Sequence, residues 1–182
     1  MNYAIADTAL GFIGIAATER GLYRVTLPQS SSERAWEQLQ DLNHQPLVHD
    51  PESLSEVVQR FIAYAQGQTE LSDLPLDYEG LTPFQRQVSE LVHDIPMGAT
   101  ENYGSIAARC GCPHGARAVG GVMASNRLCL VVPCHRVVAS DGTLNGFGGG
   151  LPQKAQLLRL EGLEIDEEAG TGRRKYRIIG RK

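Results

Sequence analysis

Three short, largely apolar runs open the chain and read as strands: residues 3–8, 12–18 and 22–27. Gly-containing breaks separate them at Leu10-Gly11 and Arg20-Gly21, which predicts a β-meander. The pattern then changes. Ser30-x-x-Glu33 reads as a capping box opening a helix through Ala35, Trp36, Leu39 and Leu42. A second helix starts near Pro51, carries Leu54, Val57, Val58, Phe61, Ile62 and Ala65 at helical spacing, and ends at Gly67. Residues 74–78 suggest another short strand, and Glu79-Gly80-Leu81 a boundary.

Beyond that boundary the pattern is mostly helical. Thr82 with Pro83 behind it predicts a capped helix whose inner face holds Phe84, Val88, Leu91 and Val92. A short helix over 105–109, a turn at Cys110-Gly-Cys-Pro113 and a helix over 114–125 follow, the last ended by Asn126. Residues 128–132 read as a β-branched strand, 140–150 as a loop with five glycines, and 152–161 as a final helix with Gly162 just past its end. The tail after Glu167 is expected to be loosely ordered. The fold class expected is therefore α+β, divided as 1–81 (a small α/β domain, antiparallel sheet with helices), 82–168 (a mostly helical domain) and 169–182 (a basic, flexible tail).

Composition alters this picture little: apolar residues make up 42% and charged residues 21%, as in a soluble globular protein. No apolar run approaches the roughly 20 residues that span a membrane. No basic segment precedes the apolar stretch at the N-terminus, so a cytoplasmic protein is expected. Charge is more informative. Residues 1–81 carry four Lys/Arg against twelve Asp/Glu, whereas residues 82–160 carry seven against four. An acidic front and a basic back suggest two units, one of which meets phosphates; the alternative is chance asymmetry between two solvated faces.

Two features carry candidate chemistry. The first is a helix-turn-helix pattern whose second helix contains Ala116-Arg-Ala-Val-Gly-Gly-Val-Met-Ala124. Two mid-helix glycines, Gly120 and Gly121, cost about 1 kcal/mol each relative to alanine, so something must offset them. Either the helix lies close against a DNA backbone or narrow groove, with Arg117 projecting, or it packs tightly inside the domain. The second feature is Pro133-Cys-His-Arg-Val137 after an apolar run. A thiol acts as a nucleophile only as thiolate, and a nearby imidazole or cation lowers its pKa. In an extended segment His135 would point away from Cys134, so a bridging water would be needed, with Glu161 orienting the imidazole from behind. The alternative is an inert core cysteine.

Arg117-Ala-Val-Gly-Gly121, Asn126 and Pro133-Cys-His-Arg-Val137, with the spacing between them, resemble the signature of the O6-alkylguanine-DNA alkyltransferases. The resemblance runs from about Thr82 to Gly162; residues 1–81 are similar to that family's N-terminal α/β domain only in outline. It implies a winged helix-turn-helix-like catalytic domain that binds double-stranded DNA through the minor groove. It further implies stoichiometric, self-inactivating transfer of an alkyl group from O6 of guanine, with O4 of thymine as a second candidate, onto Cys134. By the same resemblance His135 is the base, acting through water, with Glu161 behind it. Asn126 braces the turn after the recognition helix. Arg117 replaces the flipped guanine in the stack, and Tyr103 assists flipping and donates a proton to the departing base. Ala116, Ala118, Gly120 and Arg136 are expected at the DNA; Pro133, Val137, Phe147 and Gly148 are expected to line the lesion pocket. No cofactor, metal or membrane is implied, and a monomer is expected. Three residues depart from the family's commoner pattern. Asn102 stands where serine is usual, Phe147 where many members have tyrosine, and Gly148 where others carry serine or a larger residue; they bear on which alkyl groups are accepted.

Rival readings are a zinc site on Cys110, Cys112, His114 and Cys129, whose spacing is not that of paired C-x₂₋₄-C motifs; a lesion-binding protein without transfer, against which Cys134 itself argues; and a cysteine hydrolase, which leaves the DNA-binding helix unexplained. Arg173-Arg-Lys-x-Arg177 offers further phosphate contacts, or simply solvated charge.

Overall fold

The computed structural model describes residues 1–40, 46–168 and 175–181. It divides into two compact units: Met1–Gly80 together with Arg127–Val131, and Leu81–Asn126 together with Val132–Lys182. The architecture is α+β, with the N-terminal sheet and the more helical C-terminal part that the pattern predicts.

In the first unit, β1 (Asn2–Thr8), β2 (Gly11–Thr18) and β3 (Gly21–Val25) form the meander, and β4 (Val48–His49) adds to β1 in parallel, giving the order β3-β2-β1-β4. Central β2 is buried through Ile13, Gly14, Ile15 and Ala16. Helices α1 (Ser32–Gln40) and α2 (Ser55–Ala65) pack on this sheet. A methyl group at Gly14 would stand 2.7 Å from Leu39 Cγ, so only glycine lets α1 approach β2 this closely. In place of the expected capping box a single cap forms one residue on: Ser31 Oγ accepts from Arg34 N at 3.3 Å. Leu42 lies outside the described residues. The strand expected over 74–78 reduces to one bridge, Leu22 with Leu76.

The five residues Arg127–Val131 return to this unit. Val25 N donates to Arg127 O at 2.7 Å and Cys129 N to Val25 O at 3.1 Å, while the Arg127 guanidinium lies 3.9 Å from the centroid of the Tyr23 ring. The strand expected over 128–132 does not form. Leu130 adopts a left-handed backbone (φ 70°), which breaks any regular ladder there.

In the second unit, α3 (Pro83–His93) has the predicted start. Gln85 N donates to Thr82 Oγ1, and Thr82 N to Gln85 Oε1, a complete capping box ahead of Pro83. Next come β5 (Glu101–Asn102), α4 (Tyr103–Arg109) and α5 (Ala116–Ala124). Helix α4 begins two residues earlier than expected because the Asn102 side chain caps it, accepting from Ser105 N at 2.9 Å. Beyond a 3-10 turn at Cys134–Arg136, β6 (Val137–Val138) pairs in parallel with β5, and α6 (Gly150–Leu160) follows.

The tail expected to be loose is partly ordered. β7 (Leu163–Glu168) and β8 (Lys175–Arg181) form an antiparallel hairpin. The reason is alternation: Tyr176 turns inward to join Leu144, Leu158 and Ile165 in a core cluster, while Lys175, Arg177 and Arg181 face solvent. The weak apolar content of this segment hid that period. Arg173 and Arg174 lie outside the described residues. Among the described residues no helix is long and apolar enough to cross a membrane.

Candidate active site

Cys134 opens the 3-10 turn, and its backbone N–H donates to Val132 O at 2.8 Å while Arg136 N donates to Pro133 O at 2.8 Å. The expectation of extended backbone here is overturned: the turn is tight, and Cys134, His135 and Arg136 are all buried. Asn126, just past the end of α5, donates from Nδ2 to the same Val132 carbonyl at 2.8 Å. The end of the small-residue helix and the turn bearing the thiol are thus joined through one oxygen.

The two residues that follow Cys134 in the turn join a buried ionic cluster. His135 Nε2 is 2.8 Å from Glu161 Oε1, and neither side chain is exposed. Arg136 meets the same carboxylate with two bonds, Nε to Oε2 at 2.9 Å and Nη2 to Oε1 at 2.8 Å, and donates through Nη1 to Ile95 O. Burial alone would push the Glu161 carboxyl up, but His135 and Arg136 beside it outweigh that and hold it well below the usual carboxylate range. An ionised carboxylate only accepts hydrogen bonds, so the Nε2 facing it carries the proton. In neutral His135 this leaves Nδ1 as the basic nitrogen.

The cluster corrects one expectation. Arg136 is only 4% exposed and committed to Glu161, so it is not available to a DNA phosphate. Its fork is bidentate to a carboxylate that would otherwise be buried with too little positive charge nearby.

Lys154 was not singled out from the sequence. It is fully buried in α6, and its Nζ donates to Val137 O at 2.6 Å and Asn145 O at 2.9 Å. It also lies 5.9 Å from the centroid of the Phe147 ring. Burial pulls its ammonium down to about 8, with the negative charge of a Cys134 thiolate opposing that shift. The available signal was a lysine at a core position of an amphipathic helix, between Leu151 and Leu158 on the face that also holds Ala155.

Tyr103, at the start of α4, is half-buried, and both burial and the charge of Cys134 raise its phenol pKa, so it stays protonated. Pro133 and Val137 flank the turn in the core, while Phe147 is half-buried and Gly148 exposed in the loop before α6.

On α5, Arg117, Ala118 and Gly121 are exposed and Ala116 and Gly120 half-buried. A methyl group added at Gly120 or Gly121 would meet nothing within 4 Å. Close packing inside the protein therefore does not account for these two glycines, and the reading in which the helix faces an outside surface remains. Of the cysteines considered for zinc, Cys112 Sγ donates to Ala107 O at 3.3 Å. No group of three metal-ligating side chains comes together among the described residues.

The chain is similar to known proteins over most of its length. Residues 83–163 match the family model described as 6-O-methylguanine DNA methyltransferase, DNA binding domain, and residues 1–78 match the ribonuclease-like domain of the same enzymes. A methylated-DNA–protein-cysteine methyltransferase of Mycolicibacterium paratuberculosis is 34% identical over 88% of this chain and 92% of its own length. The constitutive enzyme of that name from Bacillus subtilis is 35% identical over 92% of this chain and all of its own. Among solved structures, Mycobacterium tuberculosis OGT in complex with DNA superposes with a TM-score of 0.75 at 34% identity, covering 88% of this chain and 92% of that one. The chain belongs to the 6-O-methylguanine DNA methyltransferase family.

Proposed function

We propose that this protein repairs DNA by direct reversal, as a methylated-DNA–protein-cysteine methyltransferase that moves the alkyl group from O6 of guanine onto Cys134. The observation that carries the assignment of residues is the buried line of side chains next to Cys134 in the chain, with Glu161 fixing the tautomer of His135 and Arg136 fixing Glu161.

Double-stranded DNA is bound by α5 through the minor groove. There the small side chains let the helix approach, and Arg117 fills the place of the extruded base. Extrusion costs a few kcal/mol, which the inserted arginine helps to offset. His135 takes the thiol proton through a water molecule. The thiolate attacks the alkyl carbon in line, forming the S–C bond as the C–O6 bond breaks and its electron pair leaves with guanine. Tyr103, kept protonated by its surroundings, donates toward the departing base. Arg136 takes no part in DNA contact and acts through Glu161. The thioether has no easy exit chemistry, so one molecule repairs one lesion. The protein acts as a monomer in the cytoplasm.

Intact-mass and peptide mass spectrometry after incubation with duplex carrying O6-methylguanine tests this. One added methyl on the peptide bearing Cys134 is expected, and none in Cys134→Ala, which still binds DNA. Repeated turnover, or a methyl on any other residue, overturns it.

A further inference from the structure

The C-terminal hairpin lies beyond residue 163, where the match to the DNA-binding family model ends. Its second strand does more than pair with the first. On its other edge, β8 grips the chain just ahead of the loop before α6. Leu144 N donates to Tyr176 O at 2.9 Å, Ile178 N donates to Gly142 O at 3.1 Å, and Thr143 bridges Arg177 in antiparallel register. Arg177 also reaches Asp141 at 3.6 Å, across an exposed edge. Beneath these bonds Tyr176 (3% exposed) packs with Leu144 (2% exposed) in the cluster that includes Leu158 and Ile165.

The gripped segment is the stem of the glycine-rich loop. Gly142 turns in a left-handed conformation (φ 79°), and one residue past Leu144 the Asn145 carbonyl accepts from Lys154. Phe147 and Gly148 come next. Gly146, Gly148 and Gly149 give this loop little stiffness of its own, so its position is set by what holds its two ends. Helix α6 continues directly from one end, and its Lys154 reaches back to Asn145 at the other. Strand β8 grips that second end as well, through Gly142 and Leu144. A groove of about 1000 Å³ is lined by both, with Phe147 and Leu151 from the loop and helix and Tyr176 and Arg177 from the strand. At its far end β8 reaches a second turn: a methyl group on Gly98 would stand 2.9 Å from an Arg181 guanidinium nitrogen.

We infer that β8 is a positioning strap for the lesion-pocket loop: through Tyr176 and Ile178 it fixes where Phe147 and Gly148 stand, and so sets which O6 substituents the protein accepts. The inference rests on the reading above in which these two residues line the pocket. Tyr176 touches neither DNA nor the reacting atoms; it acts through Leu144.

Tyr176→Ala and Tyr176→Phe in the full-length protein test it. Three readouts are needed: amide hydrogen exchange over residues 144–150, the rate of Cys134 alkylation by iodoacetamide, and saturating single-turnover rates with half-saturation concentrations on duplexes carrying O6-methylguanine or O6-benzylguanine. In Tyr176→Ala, exchange in the loop is expected to rise about tenfold. The ratio of benzyl to methyl transfer should shift about fivefold, with iodoacetamide reactivity unchanged. Tyr176→Phe keeps the ring and behaves as wild type. If Tyr176→Ala does not accumulate as folded protein, the exposed pair Asp141→Ala/Arg177→Ala replaces it, with a shift of about twofold expected in the same ratio. An unchanged ratio, or an equal loss on both lesions, overturns the strap. Absence of methyl transfer in the wild type would instead sink the function, and the exchange measurement would still report on β8.

Discussion

Arg117 and Arg136 are the same residue type on one unit of the chain, and burial gives them opposite work. Arg117 stands exposed on a helix of small side chains. Arg136 is locked into the turn that bears Cys134 by a two-pronged bond to a fully buried carboxylate. One is surface available to a ligand; the other is structure. The cost of losing each should therefore appear in different measurements. For Arg136→Met, the Glu161 carboxylate is left buried with only His135, and a loss of about 3–5 kcal/mol in denaturant unfolding is expected. A variant as stable as wild type would mean the cluster is less tightly coupled than its geometry indicates.

A second buried cation sharpens the contrast. The native protein gives up the Lys154 proton near pH 8, whereas the unfolded chain keeps it to about 10.5. Between those values the unfolded state binds more protons, so stability should rise with pH, by about 3 kcal/mol in all. Lys154→Met should abolish that rise. Glu161 has the opposite history: its carboxyl is held below the ordinary range, so the stability it contributes is lost as pH falls through and below that range. Unfolding midpoints against pH check both, and a flat alkaline limb would mean that burial does not lower the Lys154 ammonium.

On the exposed side, Arg117→Ala should leave stability near wild type and slow transfer from duplex by about 10²-fold, the equivalent of a few kcal/mol of base extrusion. Reaction with free O6-benzylguanine should be unaffected. Equal slowing on both substrates would break the comparison. The smallest effect is expected at Gly120→Ala. Space for the added methyl is open, so the helix should gain about 0.5–1 kcal/mol. Duplex affinity, read by fluorescence anisotropy, should fall, because the added group stands on the face offered to the groove. A gain in both would mean that α5 does not approach DNA there.

The meander, the capped start of α3 and the spacing of Arg117, Asn126 and Cys134 were legible in the sequence because each has a local cause: short apolar runs split at glycines, a Thr-Pro cap, a chain motif. What was not legible depends on distant partners. The backbone at Cys134 was expected to be extended, and a 3-10 turn formed, bringing Arg136 onto Glu161, 25 residues away. Lys154 was passed over in the sequence because its role depends on two carbonyls distant in the chain, those of Val137 and Asn145, that enclose its amine. Strand β8 was hidden because one inward residue in two, led by Tyr176, is a faint signal amid arginines and lysines.

The excursion of Arg127–Val131 into the first unit has a topological consequence. No single scission separates the two bodies cleanly. A nick after Gly80 would leave the path from Asn126 to Val132 stitched to β3 by the bonds of Val25, so the piece that carries the sulfur would depart with its own lacing undone.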